Sequence, residues 1–445
     1  MPERPLRVCF LAYRGNMRSG GQGVYLWFLA RELARQGHAV DVLVGPPWPD
    51  PMPFAGQVTR IPNPRFWGKW FLRQAGAMLP RPDPLRIFAP LTFYELAASR
   101  LGFLPEPFAF SVRAFQTLAA RLRGGARYDL LHDVQGLGFG VLALRALGLP
   151  VVTTVHHPLS VDRRASFARD RSLREAIGTM TFYPVGMQAF VARRVERVFT
   201  SSRASARQIE RDFGVRPERL CMLANGVDTE LFCPDPREPR REGGILCVGR
   251  AGDPNKGVAS LIEALSLLPA VRLTLVDDAS PGSPARRLAR ELGCENRLEI
   301  CGAVERAELV RLYRRAELVV VPSRYEGFGL PAAEALACGT PVVTTSAGAL
   351  PEVVGDAGVL VPPEDPQALA KAIAALLEQP AARAELGARG RRRIESRYGW
   401  PSIAAATARA YAEVLAERRG RPARTTTSAS PGARRARASS PASSP

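Results

Sequence analysis

Short apolar runs alternate with stretches of helical apolar period along most of the chain. The first such unit predicts a strand over Leu6–Tyr13, a loop over 14–21, and a helix with Leu26, Leu29, Ala30 and Leu33 on one stripe. Gly37 closes that helix as a C-terminal cap. Further strands are predicted over 39–44, 129–134, 151–156 and 195–201, the last leading into a helix that ends near Phe213. A polar, proline-rich stretch over 234–244 interrupts the pattern and reads as an interdomain linker. Beyond it, strands are predicted over 245–249, 271–276, 298–301, 318–322 and 341–345. Strands alternating with helices imply parallel sheets covered on both faces, so the expected class is α/β with two doubly wound domains.

The predicted domains cover 1–233 and 245–395, with a terminal helix over 396–417 and a tail over 418–445. The tail holds Arg, Ser, Thr, Ala and Pro without apolar period and is expected to be disordered. The stretch 46–125 breaks the alternation with prolines, arginines and aromatics and reads as an insertion.

Composition changes this picture little: 46% hydrophobic and 23% charged residues suit a globular chain. With no apolar run of about 18 residues and no signal-peptide layout, a cytoplasmic protein is expected. The seven cysteines form no C-x-x-C pair and are expected to be reduced. A net charge of +19 points to polyanionic partners, among them phosphate ligands, nucleic acid or anionic lipid. No zinc-finger or RNP motif accompanies it, so no specific nucleic-acid partner is expected. Among the basic residues, only Lys69, Lys256 and Lys371 are lysines.

The run from Tyr325 to Gly339, followed by the strand that begins at Thr340, carries the chemistry. Gly327 and Gly329 let backbone approach a ligand, and Pro331 suits a first helical turn. Free amides and the helix dipole then face whatever precedes Leu330, a place suited to a diphosphate. Carboxylates beside a diphosphate would repel it unless turned to hydroxyl groups, so Glu326 and Glu334 read as hydroxyl binders. A capped core helix explains the small residues but not both glutamates.

With its two glutamates separated by seven residues, this run resembles the retaining GT-B glycosyltransferases of family 4, and the resemblance spans residues 6–417. It implies two Rossmann-like domains facing a cleft, a nucleotide-diphosphate sugar as donor substrate, and no further cofactor. It also implies that Glu326 contacts the donor sugar and Glu334 the ribose, with Gly327, Phe328, Gly329 and Leu330 lining the donor. Val248-Gly249-Arg250 and Lys256-Gly257 match the family's diphosphate-binding arginine and lysine, which would stabilise the leaving group. The Ser19-Gly20-Gly21 turn matches the loop reaching donor phosphate and acceptor. Leu223–Asp228 resembles the family's Asn-Gly-Val-Asp turn, whose expected role is architectural. Thr154-Val155-His156 matches a histidine that faces the donor sugar, although His157 stands next to it and His132 ends another predicted strand. A departure follows 271–276, where Asp277-Asp278 replaces a glycine-rich turn, leaving the nucleotide open. The catalytic set is thus expected to be His156, Arg250, Lys256 and Glu326, with no metal, since no D-x-D pattern occurs and these cations supply the charge.

The acceptor stays open among a glycan, a lipid and a small molecule. Within 65–73, Trp67, Trp70 and Phe71 alternate with Arg65, Lys69 and Arg73. That mixture suits an anionic membrane surface on the cytoplasmic side as well as a helix packed on its own domain. The competing readings are a nucleotide-sugar epimerase of the same architecture, a polyanion-binding protein and an inactive sugar-nucleotide sensor.

Overall fold

A computed structural model describes residues 4–17, 21–63, 84–168, 170 and 172–420. The tail from 421, the aromatic-basic stretch 65–73 and the glycine at 20 lie outside the described residues. The first sheet comprises β1 (Arg7–Ala12), β2 (Ala39–Val44), β3 (Gln57–Arg60), β4 (Leu130–Val134), β5 (Val151–Thr154), β6 (Arg197–Thr200) and β7 (Leu220–Met222). The second comprises β8 (Gly244–Val248), β9 (Arg272–Val276), β10 (Leu298–Cys301), β11 (Leu318–Val321), β12 (Val342–Thr345) and β13 (Gly358–Val361). Their orders are β3-β2-β1-β4-β5-β6-β7 and β10-β9-β8-β11-β12-β13, and the pairing is parallel throughout. Each order reverses beside its first strand, at β1/β4 and β8/β11, and open parallel sheets bind ligands at such points. The α/β class and the doubly wound arrangement agree with the sequence reading.

Central strands are buried on both faces, as β4, β5, β11 and β12 show at every position. This is why they read as unbroken apolar runs. Within 46–125 the structure differs from a simple insertion. Gln57–Arg60 pairs with β2 as an edge strand, and the Glu106–Arg123 helix sends Phe110, Ala114 and Leu118 into the first domain's core. QVTR is too short and too exposed to show a strand period.

The Pro380–Tyr398 helix belongs to the second domain, where Gly387 and Gly390 lie against Gly339 and Leu336. The chain crosses at Gly399, which bridges to Val227, and the Trp400–Arg419 helix then packs on the first domain. Trp400 stacks on Phe28 at 5.5 Å and 8°. A Cβ on Gly226 would lie 2.3 Å from the Trp400 ring, which accounts for glycine in the Asn225-Gly226-Val227-Asp228 turn. Among the described residues, no helix is long and apolar enough to cross a membrane.

Candidate functional site

Two loops from the second domain and one from the first meet at the sheets' carboxyl ends. After β8, a turn carries Arg250 and leads to Lys256, whose position is set by Gly257 at φ 63°. A Cβ on Gly257 would lie 2.0 Å from the Pro322 carbonyl oxygen, so this turn is pressed onto the end of β11. That contact delivers Lys256 to the loop after β11: its Nζ lies 2.8 Å from Glu326 Oε1. Ser323 Oγ donates to the same oxygen at 2.9 Å. Glu326 Oε2 has no hydrogen-bond partner among the described residues. Burial alone would lower the Lys256 pKa, but the Glu326 carboxylate, by charge and hydrogen bond, and Asp253 more than offset it; the net shift is upward. Arg250 is exposed and adds a second positive charge beside Lys256.

Glu326 precedes the Leu330–Ala337 helix, whose N-cap Gly329 (φ 96°) provides no side-chain cap. The helix's first amides thus face the cleft with the dipole's positive end. Phe328 departs from the expected ligand role. Its ring is buried against Tyr398 at 5.5 Å, so only its backbone could address a donor. Glu334 faces inward and accepts from Tyr313 Oη at 3.0 Å. Burial pushes its pKa up to about 7, against the pull of Tyr313 and Arg306. Gly21 begins the Gly21–Arg35 helix and faces this site across the cleft: a Cβ there would lie 3.3 Å from Leu330 Cδ1.

The first domain supplies the loop after β5. His156 is buried edge-on to Tyr25, ring centroids 4.8 Å apart, and among the described residues neither ring nitrogen has a hydrogen-bond partner. Burial and the neighbouring His157 hold its pKa down at about 3, while Asn225 pulls the other way, so the ring is neutral. His157 is bound instead to Asp162, Nε2 to Oδ2 at 3.0 Å. Burial would lower its pKa, but the Asp162 hydrogen bond and charge reverse the sign. His132 sits inside β4, fully buried. Its ring nitrogens bond to Tyr411 Oη at 2.6 Å and Thr154 Oγ1 at 2.7 Å, joining the sheet to the terminal helix. It is a structural residue.

The domains touch where these loops meet. A Cβ on Gly327 would stand 2.4 Å from the His156 carbonyl oxygen. The Gly327 carbonyl accepts from Ser201 and Ser202 Oγ at 2.9 Å each and from Ser205 Oγ at 3.3 Å. Asn255 Nδ2, in the second domain, reaches Asp162 Oδ1 at 3.3 Å.

Family models match this chain in both halves: "Glycosyltransferase Family 4" over residues 85–231 and "Glycosyl transferases group 1" over 232–393. It is 39% identical, over 92% of its length and 99% of the relative's, to an MMP α-(1→4)-mannosyltransferase of Mycolicibacterium hassiacum. The chain belongs to the group 1 GT-B glycosyltransferases. This glycosyltransferase is also 32% identical to a D-inositol 3-phosphate glycosyltransferase of Acidothermus cellulolyticus, over 94% of its length and 92% of the relative's. Among solved structures its fold is similar to sucrose-phosphate synthase from Thermosynechococcus elongatus (TM-score 0.69, 24% identity, covering 92% of this chain and 100% of that one). The fold of Anabaena HepE in complex with UDP and glucose is similar as well (TM-score 0.65, 22% identity, covering 91% and 99%).

Several residues around the glycosyltransferase's cleft escaped the sequence reading. Gln135, at φ 57°, holds the histidine loop: its Oε1 accepts from the His156 amide at 2.9 Å and its Nε2 donates to the His157 carbonyl at 3.2 Å. Asp133 fastens the same turn by accepting from the Leu137 amide and Thr153 Oγ1. Asp277, noted as a departure from the glycine-rich pattern, accepts from the Ala251 amide at 2.8 Å and so fixes the turn that carries Arg250. Gln135, directly after β4, offered one available signal, since polar side chains directly after a buried strand are placed at the ligand edge.

Proposed function

We propose that the enzyme transfers a hexosyl group from a nucleoside-diphosphate sugar to a saccharide hydroxyl, with retention at the anomeric carbon and without a metal ion. The observation that carries this reading is the convergence of Lys256 and Glu326 at 2.8 Å beside the first domain's His156 loop. Arg250, Lys256 and the 330–337 helix terminus bind the diphosphate and neutralise the charge that grows on it as the bond to the sugar breaks. Glu326 accepts from donor-sugar hydroxyls and Glu334 from the ribose. His156, with two free ring nitrogens, offers one donor and one acceptor to the sugar, whereas His157 is already engaged by Asp162. The acceptor oxygen forms its bond to the anomeric carbon as the diphosphate oxygen leaves, and its proton goes to that oxygen. The α-linkage in the mannosyltransferase relative's name favours retention and a mannosyl donor, because an α product from an α-linked nucleotide sugar keeps its configuration.

The test offers GDP-mannose, UDP-glucose and ADP-glucose to the purified enzyme with a mannose oligosaccharide, inositol phosphate or a lipid extract. Nucleoside diphosphate release and product anomer, by NMR, are read together. A β product from an α donor, or nucleotide release that no acceptor accelerates, would overturn the reading. Turnover with the lipid extract alone would replace the saccharide acceptor with a lipid one.

A further inference from the structure

In the closed arrangement, the ring nitrogens of His156 are shut off from solvent and Lys256 is paired with Glu326. Donor entry therefore requires the domains to part, and something must hold them together otherwise. The cleft shows a candidate at the N-terminus of the Arg203–Phe213 helix in the first domain. Glu352, on the Leu350–Val354 helix of the second domain, crosses to it. Its Oε2 accepts from the Arg203 amide and its Oε1 from the Ala204 amide, both at 2.9 Å. These are two of the amides that a helix start leaves without internal partners, and a carboxylate also meets the positive end of the dipole.

The same helix start holds the donor loop. Its N-cap Ser202 accepts from the Ser205 amide while donating to the Gly327 carbonyl, which Ser201 and Ser205 also reach. Glu352 is anchored in its own domain, since its carbonyl accepts from Arg393 Nη2 at 2.8 Å and Tyr398 Oη at 3.1 Å. Tyr398 lies against Phe328 of the donor loop and at the point where the chain crosses between domains.

We propose that Glu352 is a closure latch: a positioning residue that binds the first domain's 203–213 helix terminus and so sets the Gly327 loop against His156. Breaking the latch shifts the enzyme toward an open cleft without unfolding either domain.

Two variants probe the two sides separately. Glu352→Ala removes both acceptors. Arg203→Pro removes one donor at the first helical position, where proline is well accommodated. The preceding Ser202 at φ −155°, ψ 159° suits a following proline, and Arg203 is exposed. Small-angle scattering of the full chain without nucleotide should give a larger radius of gyration for both variants than for wild type. Saturating GDP, and UDP in a parallel series, should return them toward the wild-type value. The donor KM should rise about tenfold for Glu352→Ala and less for Arg203→Pro, because apparent affinity falls with the closed fraction. Melting temperatures should stay close to wild type. Nucleotide-free scattering identical to wild type in both variants would overturn the latch, as would a lower melting temperature with unchanged scattering, which marks a simple helix cap. The nucleotide-rescue and kinetic arms rest on the proposed donor, whereas the nucleotide-free scattering does not. Expanded variants with an unchanged donor KM would support the latch and count against that donor.

Discussion

Replacing Gly327 by alanine gives the most direct test of whether the closed arrangement is the working one. The added Cβ would stand 2.4 Å from the His156 carbonyl oxygen, where ordinary contact begins near 3.4 Å. Its nearest neighbours are all in the first domain, and two of them are backbone atoms, so no side-chain rotation relieves the clash. Gly327 is also absent from the positive-φ glycines, so alanine fits the backbone of the second domain. The domains must separate by about 1 Å at this point, which carries the hydroxyls of Ser201 and Ser202 from 2.9 Å to a distance where they no longer bond to Gly327. These two hydrogen bonds are lost at about 1 kcal/mol each, while Ser205 Oγ keeps its shorter bond to the His156 carbonyl at 3.0 Å in its own domain. A loss of about 2 kcal/mol corresponds to about a 30-fold fall in kcat/KM, with thermal unfolding nearly unchanged. The assay compares donor turnover and melting with those of wild type. Gly186→Ala, whose Cβ meets nothing within 4 Å, serves as the control. Wild-type kcat/KM in Gly327→Ala would refute the reasoning.

Three further outcomes follow from the site. Lys256→Ala should lower kcat by about 100-fold or more in a chain that still folds, because the leaving group loses a preorganised cation; turnover within about threefold of wild type removes Lys256 from the diphosphate site. Glu334 has a pKa raised to about 7 in the folded chain from an ordinary 4.5. Its contribution to stability is thus fully present below about 4.5 and lost as pH rises through about 7. Glu334→Gln should accordingly gain on wild type in melting temperature between pH 5 and pH 8, and an equal difference at both pH values contradicts the assignment. His132→Ala leaves the Tyr411 hydroxyl and a buried cavity without partners, and should cost about 2–5 kcal/mol of stability by denaturant titration. Lost activity in a variant of unchanged stability would make His132 a site residue after all.

What could be read from the sequence divides along a physical line. The central strands were legible because burial on both faces makes them continuous apolar runs. β3, β7 and β13 were not, being three or four residues long and partly exposed. The 330–337 helix and its two glutamates were legible because local chemistry specifies a glycine entry, a proline in the first turn and paired acids. Phe328 shows the limit of that logic: its neighbours in sequence face the cleft, but packing against Tyr398, 70 positions away, turns its ring into the core. Glu352 and Ser201 were invisible for a related reason, since each acts on a backbone group of the other domain and backbone groups leave no mark in a sequence.

The charges at the centre of the site make domain closure and donor binding two aspects of one exchange. A buried carboxylate is costly without a partner, and in the closed cleft Lys256 and Ser323 satisfy one oxygen of Glu326. Under the proposed function, an arriving diphosphate would compete for Lys256 with two negative groups, and the donor sugar's hydroxyls would then replace Lys256 at Glu326. Each group thus trades one charged partner for another without a stage of uncompensated burial. The trade needs the cleft open to begin and closed to finish. It follows that the contacts deciding the enzyme's affinity for its donor include Glu352 and the Gly327 carbonyl, whose partners lie across the cleft in the other domain.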